Sequence, residues 1–107
     1  MKEEKVTEYL ILLSDTDRKR HRHVRKGNVI VDFTIQYETF IQGKWSPVVR
    51  YDTAHGFMHK DLFQPDGSKE KIVLGSYNYN EGLVFADSDI NQNWFVYKEK
   101  YLRRVKR

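Results

Sequence analysis

The segment Val29 to Gln42 constrains this chain more than any other. Val29, Val31, Phe33, Ile35, Tyr37, Thr39 and Ile41 alternate with Asp32, Thr34, Gln36, Glu38 and Gln42. Strand side chains point to opposite faces with a period of two, so the pattern predicts a long strand with one apolar face. Gln42-Gly43-Lys44 supplies a turn, and Trp45 to Tyr51 returns as the next strand. There Trp45, Val49 and Tyr51 share one face, and Arg50 and Asp52 the other. Pro47 cannot donate to the ladder and marks an edge or a bulge. Thr53 to Phe57 is a connection. Met58 to Gln64 and Lys69 to Leu74 read as strands around Pro65-Asp66-Gly67, where proline presets φ and glycine accepts the left-handed position. Upstream, Glu8 to Leu13 reads as a short buried strand because it is almost continuously apolar. Ser14 to Asn28 is polar and basic, ends in a turn signal, and reads as a mobile loop.

The period changes near residue 78. Asn78 followed by Glu81 has the spacing of a capping box. Leu83, Ala86, Ile90, Trp94, Tyr97 and Tyr101 then recur at three and four residues, which predicts an amphipathic helix over about Tyr79 to Arg103. Gly82 weakens its start slightly. The predicted fold is α+β: an antiparallel β-meander of about five strands, with one long C-terminal amphipathic helix packed on one face. The chain reads as a single domain, residues 1–107. The other sheet face, with Asp32, Thr34, Gln36, Glu38, Arg50 and Asp52, is left to water or to a partner.

Seven Tyr, six Phe and two Trp supply much of the core. The absence of cysteine excludes disulfides, thiolate metal sites and a cysteine nucleophile. The longest apolar run, Tyr9 to Leu13, is too short to span a bilayer, and no apolar leader follows the charged N-terminus. A cytoplasmic protein without membrane contact is expected. The net charge of +4 is uneven: Arg18 to Lys26 carries six Lys/Arg and no acid. Arg18, Lys19, Arg20, Arg22, Arg25 and Lys26 thus form a candidate surface for a polyanion such as RNA. His21 and His23 in the same segment read as exposed. The basic C-terminal cluster reads as a solvated helix end.

The chemistry concentrates in Val49-Arg50-Tyr51-Asp52-Thr53-Ala54-His55-Gly56-Phe57-Met58-His59-Lys60-Asp61. A metal-independent ribonuclease needs an acid, a base and a cation at the phosphate. His55 and His59 suit the first two, because imidazole titrates near neutrality. Arg50 suits the third, and Asp52 is placed to orient His55. Four residues of extended strand separate their ends by roughly 13 Å, so only a bend at Gly56 brings both imidazoles to one phosphate. His55, His59 and Asp61 are acceptable metal ligands, but H-x-x-x-H is a strong signal only on a helix, so no metal and no cofactor is assigned. No serine sits in an elbow context, and the glycines form no phosphate loop.

The block Val49 to Gly56, with His59 following, resembles the TumE-type toxin family of prokaryotic toxin–antitoxin systems. Those are short chains with an R-Y-D-[NT]-A-H-G-like block, a nearby histidine and a terminal helix. The chain also looks like small prokaryotic proteins of no assigned role that share Tyr51 to Gly56 and Pro65-Asp66-Gly67. The toxin resemblance implies a growth-inhibiting protein neutralised by a cognate antitoxin, with Arg50, Asp52, His55 and His59 as the positions carried over. Two rival readings stand beside an RNA-directed toxin. One is a non-enzymatic module binding protein or nucleic acid through the open face and its edges. The other is a purely structural role, with His55 and Asp52 pinning the hairpin and Asp52 accepting from backbone amides of the connection.

Overall fold

A computed structural model describes residues 3–75 and 78–105. Six strands form one antiparallel meander in sequence order: β1 (Glu4–Ser14), β2 (Asp17–Lys26), β3 (Val29–Ile41), β4 (Lys44–Asp52), β5 (His59–Phe63) and β6 (Lys69–Val73). A 3-10 turn, Ala54–Gly56, joins β4 to β5, and α1 (Tyr79–Arg103) packs chiefly on β3 and β4. The architecture is the α+β meander and helix expected, with six strands in place of about five.

The sixth strand is β2, where a mobile loop was expected. Its alternation is written in charge instead of hydrophobicity. Lys19 and His21 point toward the helix side and are buried, while Arg18, Arg20 and Arg22 point to the other face. Lys19 is tolerated there because its ammonium meets Asp87 and Asn91 on α1. His21 is not exposed as anticipated. It stacks on Tyr9 with ring centroids 4.4 Å apart.

The buried first strand is a second correction. β1 pairs with β2 alone, and α1 lies over strands further along the sheet. Val6, Tyr9, Leu10, Ile11 and Leu12 are therefore all exposed, Leu12 by 70%.

Two bulges reset the faces of the central strands. Val24 pairs with Asp32 and Arg25 with Ile30, leaving Val31 as the extra residue. The parity flips there, so Ile30 enters the core while Val29 and Val31 stay exposed. In β4, Tyr37 pairs with Val49 and Glu38 with Pro47, leaving Val48 extra. That bulge sits beside Pro47, the position that flagged it. It also carries Trp45 off the helix face, to lie against Phe40 and beneath the Arg18 guanidinium.

The remaining core follows the sequence pattern. Phe33, Ile35, Tyr37, Val49, Tyr51 and Met58 meet Ala86, Ile90 and Tyr101, with Leu83, Trp94 and Tyr97 packed around them. Each fully buried large apolar side chain contributes roughly 1.5–3 kcal/mol. Gly82 has a packing role as well: a Cβ there would stand 2.7 Å from Met58 Sδ. Asn78 caps α1, its side chain accepting from the amides of Asn80 and Glu81. The β3–β4 turn needs φ above zero at both central residues, and Gln42 (52°) and Gly43 (80°) provide it.

Asp17 ties the β1–β2 turn to the rest. Its carboxylate accepts from Ser14, Thr16, Tyr37 at 2.6 Å and Lys98 at 2.9 Å. Burial acts to raise its pKa, but these hydrogen bonds outweigh burial and hold it at about 2. No described helix is long and apolar enough to cross a membrane.

Candidate functional site

The β4–β5 register builds the candidate site. Asp52 lies directly opposite His59, and Arg50 opposite Asp61. Tyr51 and Lys60 between them face the helix, where they reach Asp89 and Tyr97. Period two therefore puts Arg50, Asp52, His59 and Asp61 together on the face that α1 does not cover.

The connection explains why the block reads Asp-Thr-Ala-His-Gly. Asp52 Oδ1 accepts the Ala54 amide at 3.1 Å, which starts the turn. Thr53 anchors it to β3: its hydroxyl donates to Asp32 and accepts from the Phe33 amide, and its own amide reaches the Phe33 carbonyl. His55 then adopts φ 70° and Gly56 φ 84°, both left-handed. Phe57 returns to extended geometry and lies against the His59 ring, centroids 5.7 Å apart.

The side chains do not pair as anticipated. Asp52 orients His59, with Oδ1 2.7 Å from Nε2, and not His55. His59 is only 2% exposed, whereas His55 is exposed and its side chain makes no hydrogen bond or ion pair with the described residues. The two imidazoles thus occupy different environments and do not form a shared acid/base pair. The physical reason is strand alternation: His59 is the first residue of β5 and takes its place beside Asp52, while His55 stays on the outer turn. Of the expected pinning by His55 and Asp52, the Asp52 contact is present through the Ala54 amide, while the His55 side chain pins nothing among the described residues.

Asp61 is 1% exposed. Its Oδ2 lies 3.9 Å from His59 Nε2 and 3.4 Å from the half-exposed Lys69 ammonium. Its Oδ1, like His59 Nδ1, is buried without a hydrogen-bond partner. One ligand-type atom from each of Asp52, His59 and Asp61 lies within 4.8 Å of the others.

Arg50 links this cluster to the rest of the face. Its Nε donates to Gln36 at 2.7 Å, and its guanidinium lies 5.0 Å from the Phe63 ring centre. Gln36 in turn donates to Glu38, which also accepts from Arg18 at 2.6 Å and Arg20 at 3.1 Å. Gln36 and Glu38, expected on an open face, are buried beneath these arginines. Burial acts to raise the Glu38 carboxyl, yet the donors around it win and lower its pKa.

The other basic residues of β2 are also engaged. Arg22 pairs with Glu8 and Asp32, Lys26 lies 3.9 Å from Glu4, and Lys19 is held by α1. Arg25 is exposed and has no ion pair among the described residues. The six residues proposed as a polyanion surface therefore do not form one patch: Arg18, Arg20 and Arg22 share one face, Lys19 is buried behind it, and Arg25 and Lys26 lie past the bulge at the strand end. Composition could not reveal this, because the acids that engage them lie on β1, β3 and α1.

The fold and site define a small α+β protein with a polar constellation on its uncovered sheet face. Residues 1–107 match the family described as Domain of unknown function (DUF7718), and the chain belongs to that family. No curated protein and no solved structure matches the chain.

Proposed function

We propose that this is a toxin-like cytoplasmic protein that acts on RNA, with the β4–β5 hairpin as its site. One observation carries the reading: Arg50, Asp52 and His59 share one sheet face, and His55 projects exposed from the turn between them. Arg50 meets a phosphate, since its planar fork matches phosphate oxygens. His55, as the exposed imidazole, moves the proton. The buried Asp52–His59 pair fixes the turn from which His55 projects. A partner antitoxin belongs to the same reading through the resemblance to TumE-type toxins. The test is expression in a bacterial host with growth and RNA integrity followed. His55→Ala, with the fold retained by circular dichroism, abolishes growth inhibition and RNA loss. If the variant inhibits growth and degrades RNA like the parent, this reading is wrong.

A separate observation supports a non-enzymatic binding module. β1 is an eleven-residue edge strand with apolar side chains exposed on both faces. Such an edge is a template for pairing with another strand. The occupant that fits is a second copy of this chain. Antiparallel self-pairing centred on Ile11 sets Leu10 against Leu12, Tyr9 against Leu13 and Glu8 against Ser14, with no like charges opposed. Sedimentation then gives a dimer that Ile11→Lys converts to a monomer. A parent chain that sediments as a monomer overturns the pairing.

A further inference from the structure

We propose that Asp52, His59 and Asp61 bind a divalent transition-metal ion of the Zn2+ type. The inference adds a cofactor to the site of the RNA reading, but it rests on the geometry of the cluster. It is tested without RNA, so either idea fails separately.

The three residues are brought together by the strand register, with Asp52 across from His59 and Asp61 two positions further along the same face. His59 Nε2 stands 2.7 Å from Asp52 Oδ1 and 3.9 Å from Asp61 Oδ2, and the whole set of ligand atoms falls within 4.8 Å. Ligands bonded to Zn2+ at about 2.0–2.2 Å stand roughly 3–3.5 Å from one another. The two His59 pairs need to open or close by less than about 1 Å, and the two carboxylates to approach each other by at most about 2 Å, to receive an ion.

Burial makes the arrangement informative. Acidic residues in water gather without consequence, but Asp61 is 1% exposed and its Oδ1 has no hydrogen-bond partner. A carboxylate is not normally buried unpaired, because desolvation opposes its charge. The nearest cation, the Lys69 ammonium, reaches only Oδ2, at 3.4 Å, from a side chain 42% exposed. Two carboxylates balance the charge of a dication, and one neutral imidazole adds the nitrogen that favours Zn2+ over Mg2+ or Ca2+. Metal binding requires an unprotonated ring nitrogen, and Nε2 is the one that faces both carboxylates.

The ligand set differs from the sequence expectation in an instructive way. The H-x-x-x-H spacing draws attention to His55, which the fold leaves outside. Asp52 replaces it, recruited across the sheet by register.

The experiment is calorimetric titration of ZnCl2 into the chelator-treated full chain. One equivalent binds to the parent protein. Asp61→Asn and His59→Gln weaken that binding by at least about tenfold. A double variant, His21→Gln with His23→Gln, retains it, which excludes the other close histidine pair. Absence of binding, or binding lost only in the His21/His23 variant, overturns the proposal. Should Asp61→Asn fail to fold, the His59 ring nitrogens of the parent decide by NMR. A large Nε2 shift at one equivalent of Zn2+ supports the site, and an unchanged Nε2 signal contradicts it.

Discussion

The uncovered sheet face has two charged halves that solve opposite problems. On β2 and β3, Arg18, Arg20 and Gln36 converge on Glu38, and all four side chains are engaged. On β4 and β5, Asp52, His59 and Asp61 converge on one another, and two buried polar atoms find none. The first half carries more charge, yet its charge is spent on holding three strands together. The second carries less, but its groups retain unused capacity. On this face charge density thus marks a structural seam, and unsatisfied burial marks the candidate site; the other buried atom without a partner among the described residues, His21 Nδ1, lies on the helix side.

Mutating the two halves separates them. Glu38→Gln removes the carboxylate beneath two arginines and has the largest effect, about 2–3 kcal/mol lost, discounted because Arg20 is half exposed. A thermal melt reads this as a fall on the order of 10 °C. A fall no larger than that of a surface variant would remove the seam from the account.

Acid comes next. Asp17 has a folded pKa of about 2, below its ordinary value of 3.8. A carboxylate depressed on folding stabilises fully above its unfolded pKa and loses that contribution as pH falls through the folded one. About 2 kcal/mol therefore disappears between about pH 4 and pH 2. Asp17→Asn flattens that part of the curve in urea melts at stepped pH, and an unchanged acid limb would contradict the assignment.

The matched change in the other half is smaller. Asp61→Asn, without added metal, alters stability by less than about 1 kcal/mol, because it removes a buried charge with one unpartnered oxygen and only a half-exposed lysine nearby. A loss as large as that of Glu38→Gln would show that the two halves are equivalent, and would end the comparison. Smallest of all is Ile11→Lys on the exposed edge, within about 0.5 kcal/mol for the isolated chain, whatever it does to self-association.

Much of the fold was legible in the sequence, and the failures have physical causes. The helix bounds were readable because the Leu83 to Tyr101 stripe, the Asn78 cap and the change of period agree. β2 was hidden because its inward positions are Lys19 and His21, buried only through partners far away in sequence. β1 was misread because an apolar run says that a strand forms, not that anything covers it. The bulges at Val31 and Val48 flip faces by one residue, and only Pro47 gave a local hint. At the site, the block Arg50 to Asp61 was visible by composition. The pairing of Asp52 with His59 instead of His55 needed the register across two strands, which sequence spacing does not contain.

The central claim is that the β4–β5 hairpin, not the arginine strand, meets the substrate. An amide and side-chain NMR titration with a short single-stranded RNA tests it most directly. The account predicts that perturbations concentrate on Arg50, the Asp52 to His59 connection and the His55 ring. It is contradicted if they concentrate on Arg18 to Lys26, or if the spectrum does not respond to RNA.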